Sequence, residues 1–598
     1  MPSRTEWKCQ TRRLLLIAAA LASSHLTVIG NELVQDAGWV QLSNAQAKPV
    51  LDILAKYNPE AAGRYGLEHY DEAVLDLLPR VYERSRDDTR HVLDQLESRL
   101  GDEQHPKVKQ DMQLLVQVLN DSLARRERRH RLLLPYFNMA EVTFEGLRAL
   151  LDPNVKNSRH PAAVVRLKKY AGLTPATTPI VQLAKARIAE RFDVPGLIGP
   201  YRVQLRKDIA KTDSFVKGIA ELMRSHGLEG WEEAHKTLAE QIASYNQWLE
   251  SDLLPRGRDD HRLPAELYVD SLKSFGVHMS PSELIERAQF GFMETRNEMA
   301  AMAKRIAAQR NWDKDGYKDV IAALKREQLD VDDILPRYRE RLKEVQEIIR
   351  RERIVSLPQR DARIRFASAA ESASIPAPSM QPPRLIGNTG EYGEFLIPLR
   401  NPSAESNDKM DDFLHEAITW TLTAHEARPG HEMQFSAMIE NGVSVPRAVF
   451  AWNSANVEGW GLYAEAIMME HLPLEGQFFA RYMRLLRAAR AFLDPMVNQA
   501  QMTPQQAKAF LMRELLLSEP MAAQESDRYT FWMPGQAPSY YYGLMKLQAL
   551  RAETELQLAG NFDQRAFHDF ILAQGLLPLD LLKEVVLAEF VPAQSRQR

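Results

Sequence analysis

Four residues of this 598-residue chain could do joint chemistry: two histidines, the glutamate beside the first, and a glutamate further along. They stand in Thr423-Ala424-His425-Glu426-Ala427-Arg428-Pro429-Gly430-His431 and in Glu458-Gly459-Trp460. Neutral imidazoles with a carboxylate suit Zn²⁺, and three protein ligands leave a fourth position open, as a catalytic site requires. His425, His431 and Glu458 are therefore the candidate ligands of one zinc ion. Glu426 is the candidate general base, taking a proton from the attacking water.

The histidines are six apart, which turns the second ring by about 240° on a regular helix, away from the first. Pro429 offers a way round this. It lacks an N–H, and its ring collides with the carbonyl of the residue four earlier, His425. Gly430 gives the backbone freedom that other residues lack. The spacing thus predicts a bulge or break at Arg428-Pro429-Gly430 that swings His431 back; the alternative is a loop with two surface histidines. Glu458 and Glu465 are seven apart and share a helix face. One can bind the metal while the other orients a ligand histidine from behind. The same segment carries Trp452, Val457, Trp460, Leu462, Ile467 and Met468, which fits poorly with a solvated acidic stripe, because a buried carboxylate needs a partner.

The stretches HEARPGH at 425–431 and EGWGLYAE at 458–465, followed by PGQAPSYYYGLMKLQALR at 534–551, resemble the motifs of the bacterial DUF885 proteins. That group is regarded as zinc peptidases related in plan to the gluzincins. The resemblance covers most of the chain and is strongest from about residue 385. It implies zinc on His425, His431 and Glu458, Glu426 as base, and Tyr540 as donor to the oxyanion. Two positions depart from the pattern: Glu432 and Asn498 stand where relatives carry histidine. Asn cannot shuttle a proton near neutral pH.

The elements that must position these groups read as helices. The 45% apolar content is ample for a large core, and the −4 formal charge with both signs dispersed argues against a nucleic-acid partner. Residues 1–22 read as a secretory signal, with Arg4, Lys8, Arg12 and Arg13 before a short apolar run and Ala20-Leu21-Ala22 as cleavage site. This implies a periplasmic or secreted protein with no stable membrane anchor after cleavage. The single cysteine, Cys9, lies in that segment, so no disulfide is expected.

Residues 23–366 form a helical region, with amphipathic periodicity over 85–100, 106–134, 203–226, 231–253, 281–309 and 331–353. The basic run at 125–131 reads as one solvated face of a helix. The Ala/Ser/Pro-rich stretch 367–386 is the candidate boundary before a catalytic region, 387–598, which packs with the first as one unit. The segment 388–398 ends in a short strand. Beside a metal helix such an edge can pair with a substrate backbone, and Tyr392 is a candidate substrate contact; the alternative is a purely structural hairpin. The metal helix is expected to start near Asp411. Arg484, Arg487 and Arg490 recur at every third position of 475–496. Arg487 and Arg490 are candidates for gripping a substrate carboxylate, against a surface stripe. Helices are expected over 504–530 and 540–560, then a helical pair over 564–590.

The chain is thus expected to be a mainly α, multi-helix protein with a short β element beside the cleft. The expected activity is zinc-dependent hydrolysis of short peptides. The rival readings are a metal-dependent amidohydrolase acting on a non-peptide amide and an inactive binding or scaffold protein.

Overall fold

The computed structural model describes residues 38–152, 155–368, 371–372, 377–399 and 412–596. Residues 1–22, read from the sequence as a secretory signal, lie outside the described residues. The fold is mainly α with one small sheet, as the periodicity requires. Most expected helices form: Val81–Leu100, Pro106–Leu132, Pro281–Arg310, Val331–Arg351, Leu474–Asn498 and Ser539–Leu558. Pro281–Arg310 opens on Ser280, whose side chain accepts from the Glu283 amide, with Pro at the first position. Among the described residues no helix is long and apolar enough to cross a membrane.

Several long segments break. The 203–226 stretch is two helices, Arg202–Ala210 and Thr212–Ser225. The 504–530 stretch divides at Leu516, which takes a left-handed φ of 51°. It continues as Glu519–Asp527 and a π-helical turn, Arg528–Trp532. The basic run is not merely a solvated face. Arg128 forks onto Asp270 at 2.5 and 2.7 Å, and Arg131 reaches Glu266 at 3.2 Å, tying the helix Ala265–Ser274 to its neighbour.

Among the described residues three apolar clusters form the core. A small one links Trp39, Leu96 and Leu115, a second runs from Leu77 to Leu253, and the largest extends from Leu114 to Phe590. The largest draws on helices from both sides of the 367–386 stretch. A buried polar bond crosses from the early chain to the late: Asp111 accepts from Arg447 Nε at 2.7 Å and from Ser444 at 2.6 Å.

The sheet corrects one expectation. The strand within 388–398 exists, as β3, Glu394–Ile397, but it is central. It pairs in parallel with β1, Arg363–Phe366, and antiparallel with β2, Ser379–Gln381. All four β3 residues are buried, so this strand is no substrate edge. The edge beside the site is β2, which arises inside the stretch read as a boundary.

Candidate metal centre

The predicted break stands at the expected residues, and its form differs from a kinked helix. A 3₁₀ turn, Glu416–Ile418, leads into one α turn, Thr419–Leu422, and a π-helical turn, Thr423–Ala427. The metal helix therefore begins at Glu416, and Asp411 lies outside the described residues. Isolated π turns of this kind often mark functional sites. Arg428 is extended, the Arg428–Pro429 peptide is cis, and a new helix, His431–Asn441, begins at the second histidine. Gly430 is needed for space, not for an unusual φ, which is −77°. A Cβ there would come within 1.8 Å of the His425 carbonyl oxygen. Trp460 Nε1 donates to the Pro429 carbonyl at 2.9 Å and anchors the bend to the helix Ser454–Met468.

This fold-back sets the two imidazoles edge to face, with centroids 4.7 Å apart. Glu458 Oε2 is 3.6 Å from His425 Nε2 and 3.3 Å from His431 Nε2. One donor atom from each of the three lies within 4.8 Å of the others. Donors held about 2.0–2.1 Å from one ion in tetrahedral array stand about 3.3–3.4 Å apart, and the two separations from Glu458 are close to that. The space is also reserved in the backbone. A Cβ on Gly461, one turn after Glu458, would stand 2.7 Å from His425 Cε1, 2.8 Å from its Nε2 and 2.9 Å from His431 Cε1.

Glu465 stands behind His425, where an orienting group would be needed. Its Oε1 accepts from His425 Nδ1 at 2.7 Å, and its Oε2 accepts from the Thr421 hydroxyl at 2.8 Å. This fixes the tautomer that turns Nε2 toward Glu458. Burial opposes protonation of His425, but Glu458 and Glu465 outweigh it and raise its pKa to about 9. The Glu458 carboxyl is driven well below its usual range: burial opposes ionisation, and the two histidines overcome it. Burial raises Glu426, partly offset by His425 and His431, which moves a carboxylate toward the range of a useful base.

These residues open onto a cavity of about 670 Å³. His425, Glu426, His431, Glu458, Tyr540, Arg487 and Arg490 all line it, and so do Ser379 and Met380 of β2. The Tyr540 ring lies over His425 at 6.4 Å with planes 20° apart. The helix carrying Tyr540 touches the Glu458 helix at backbone distance: a Cβ on Gly459 would come within 2.6 Å of Gly543 Cα. Arg487 and Arg490 are buried, not a surface stripe.

Tyr392 is not brought to the cavity. It lies beneath Arg363, whose guanidinium carbon is 4.0 Å from its ring centroid. The two departures also lie off the chemistry. Glu432 is buried and accepts from Arg428 Nε at 2.8 Å and from Ser436 at 2.7 Å, so it braces the bend. Asn498 donates to Asp494 and to the Tyr529 carbonyl at the end of its helix and is absent from the lining of this cavity.

Arg528, Glu525, Thr421 and Gly461 are the residues that motif reading missed. Arg528 donates to the Tyr540 hydroxyl at 3.2 Å, and Glu525 accepts both arms of Arg490 at 2.8 and 2.7 Å. Only Gly461 had a local signal, a glycine one turn from a candidate ligand.

The fold recurs in solved structures. The chain superposes at TM-score 0.71 and 18% identity on a protein described as "the putative lipoprotein from Colwellia psychrerythraea", covering 92% of this chain and 99% of that one. It matches a protein from Shewanella oneidensis, described as "a putative lipoprotein of unknown function", at TM-score 0.69 and 20% identity, with coverage of 92% and 99%. A structure described as "PZ peptidase A with inhibitor 2" aligns at a TM-score of 0.24 and 11% identity, which is too low to carry an argument. No curated protein matches the sequence. The model of the family described as "Bacterial protein of unknown function (DUF885)" matches residues 59–586, and the chain, with its folded-back pair of histidines, belongs to that family.

Proposed function

We propose that the protein is a zinc-dependent hydrolase cleaving amide bonds in short peptides. One observation carries this reading: the donor atoms of His425, His431 and Glu458 converge beside a buried glutamate on the wall of a cavity. Zn²⁺ in this ligand set would supply Lewis acidity, polarising a carbonyl and making water an available nucleophile near neutral pH. Glu426 takes the proton of the attacking water and returns it to the leaving amine. Tyr540, with its hydroxyl already bonded to Arg528, donates to the oxygen on which charge develops. Ser379 and Met380 of β2, which stands at the end of the sheet order, line the cavity, and an edge strand can pair with an extended substrate. A cavity of this volume, set among helices, suits a short peptide rather than a folded protein.

The test is a Glu426→Gln variant assayed on a peptide mixture with zinc content measured alongside. The expected result is one bound zinc in both proteins and a rate reduced by about 10²–10⁴-fold in the variant. Full peptide hydrolysis by the variant would remove Glu426 from the reaction. Absence of hydrolysis by the zinc-loaded wild type would remove the peptidase reading.

A further inference from the structure

Arg487 is a buried cation with no hydrogen bond to a carboxylate among the described residues. It is 4% exposed and lines the cavity of the metal centre. Its Nη1 donates to the Met483 sulfur at 3.1 Å, and among the described residues its Nε has no hydrogen-bond partner. The nearest carboxylate oxygen, Glu465 Oε1, is 3.8 Å from Nη2 and is already taken by His425.

The neighbouring arginines are provided for. Arg490, one turn along the same helix, forks onto Glu525. Arg528 reaches Glu525 at 3.4 Å and also donates to Tyr540. All three guanidiniums surround the Tyr540 ring, at 5.6, 5.2 and 5.4 Å from its centroid for Arg487, Arg490 and Arg528. Arg528 Nε is also without a partner among the described residues, but of the three only Arg487 has no hydrogen bond to a carboxylate there. Burial lowers its pKa, which is the signature of a desolvated charge.

A guanidinium left this way is costly to the folded chain unless something entering the cavity pairs with it. Its planar fork matches a carboxylate better than it matches any neutral group. We propose that Arg487 binds a free carboxylate of the substrate, so that the centre acts on the bond next to a chain terminus. The inference rests on the metal-hydrolase reading for its reaction, though not for its binding. Arg490 is then a positioning residue, locked to Glu525, and Arg487 alone sets the specificity.

The experiment uses the zinc-loaded Glu426→Gln protein, so that binding is read without turnover. A panel of N-acetyl dipeptides is titrated by calorimetry, each as the free acid and as the C-terminal amide. The acids are expected to bind at least about tenfold more tightly than the amides, the range of one charged hydrogen bond. Adding Arg487→Gln should abolish that difference while zinc stays bound at one per chain. If the double variant does not fold, Arg487→Lys keeps the charge without the fork and should shrink the preference without removing it.

Equal affinity of acids and amides, including no binding of either, overturns the proposal. So does a preference that survives Arg487→Gln, or loss of zinc in that variant, which would make Arg487 a prop for Glu465. Wild-type protein that binds acids selectively yet hydrolyses no peptide would sink the hydrolase reading and leave the clamp standing.

Discussion

Glu465 accepts the Nδ1 proton of His425 at 2.7 Å while Glu458 faces the other nitrogen of the same ring. Placed between two carboxylates, the metal-free imidazole holds its proton up to a pKa of about 9. A ligand nitrogen must be deprotonated to bind, so zinc displaces that proton. Zinc affinity should rise about tenfold per pH unit from pH 6.5 to 9 and then level off. The sign for the metal-free fold is opposite. The raised pKa adds stability that is complete below the unfolded value of about 6.5 and is lost as pH rises through about 9. Competition with a chromophoric chelator at a series of pH values measures the first effect, and a flat profile would contradict it.

Gly461 keeps the space between the imidazoles and the helix behind them. In Gly461→Ala the new methyl stands under 3.0 Å from both rings, and a ring that shifts away from it changes its distance to Glu458. Zinc affinity should fall at least about tenfold, by comparison with the loss of a partner behind a ligand histidine. Helicity by circular dichroism should be retained, since Ala favours a helix by roughly 1 kcal/mol over Gly. Unchanged zinc affinity would show that the rings adapt.

Arg428 and Glu432 form a buried ion pair across the start of the second helix, with side chains 3% and 0% exposed. Arg428→Ala leaves Glu432 with Ser436 as its remaining hydrogen-bond donor. Breaking one side of such a pair costs about 3–5 kcal/mol, readable in urea unfolding of the metal-free protein. Arg428→Met with Glu432→Leu should recover most of that loss, because no charge then remains buried alone. A single variant as stable as wild type would remove the pair from any role in holding the bend.

Much of the centre was legible because its constraints are local. A six-residue gap cannot serve one ion from one helix, so Pro429 and Gly430 had to break it. Glu458 and Glu465 share a face by simple periodicity. What stayed hidden depends on distant partners. Nothing near Arg487 or Arg490 tells them apart; the difference is Glu525, 35 residues beyond Arg490, which binds only one of them. The three-residue strand β2 hides in a Ser- and Pro-rich stretch because its pairing with β3, not its composition, makes it a strand. Tyr392 was placed by proximity to β3, and the sheet order puts β2 between that strand and the cavity.

The contact between Gly459 and Gly543 has a mechanical result. Two helices touching backbone to backbone have no side-chain cushion to compress, so the wall bearing Glu458 and Tyr540 is stiff. Any accommodation of differently shaped guests falls to the rest of the lining, which includes a three-residue strand and the aromatic pair Phe531 and Trp532. Changes in selectivity should therefore be won by altering those residues, with the rigid helix pair left untouched.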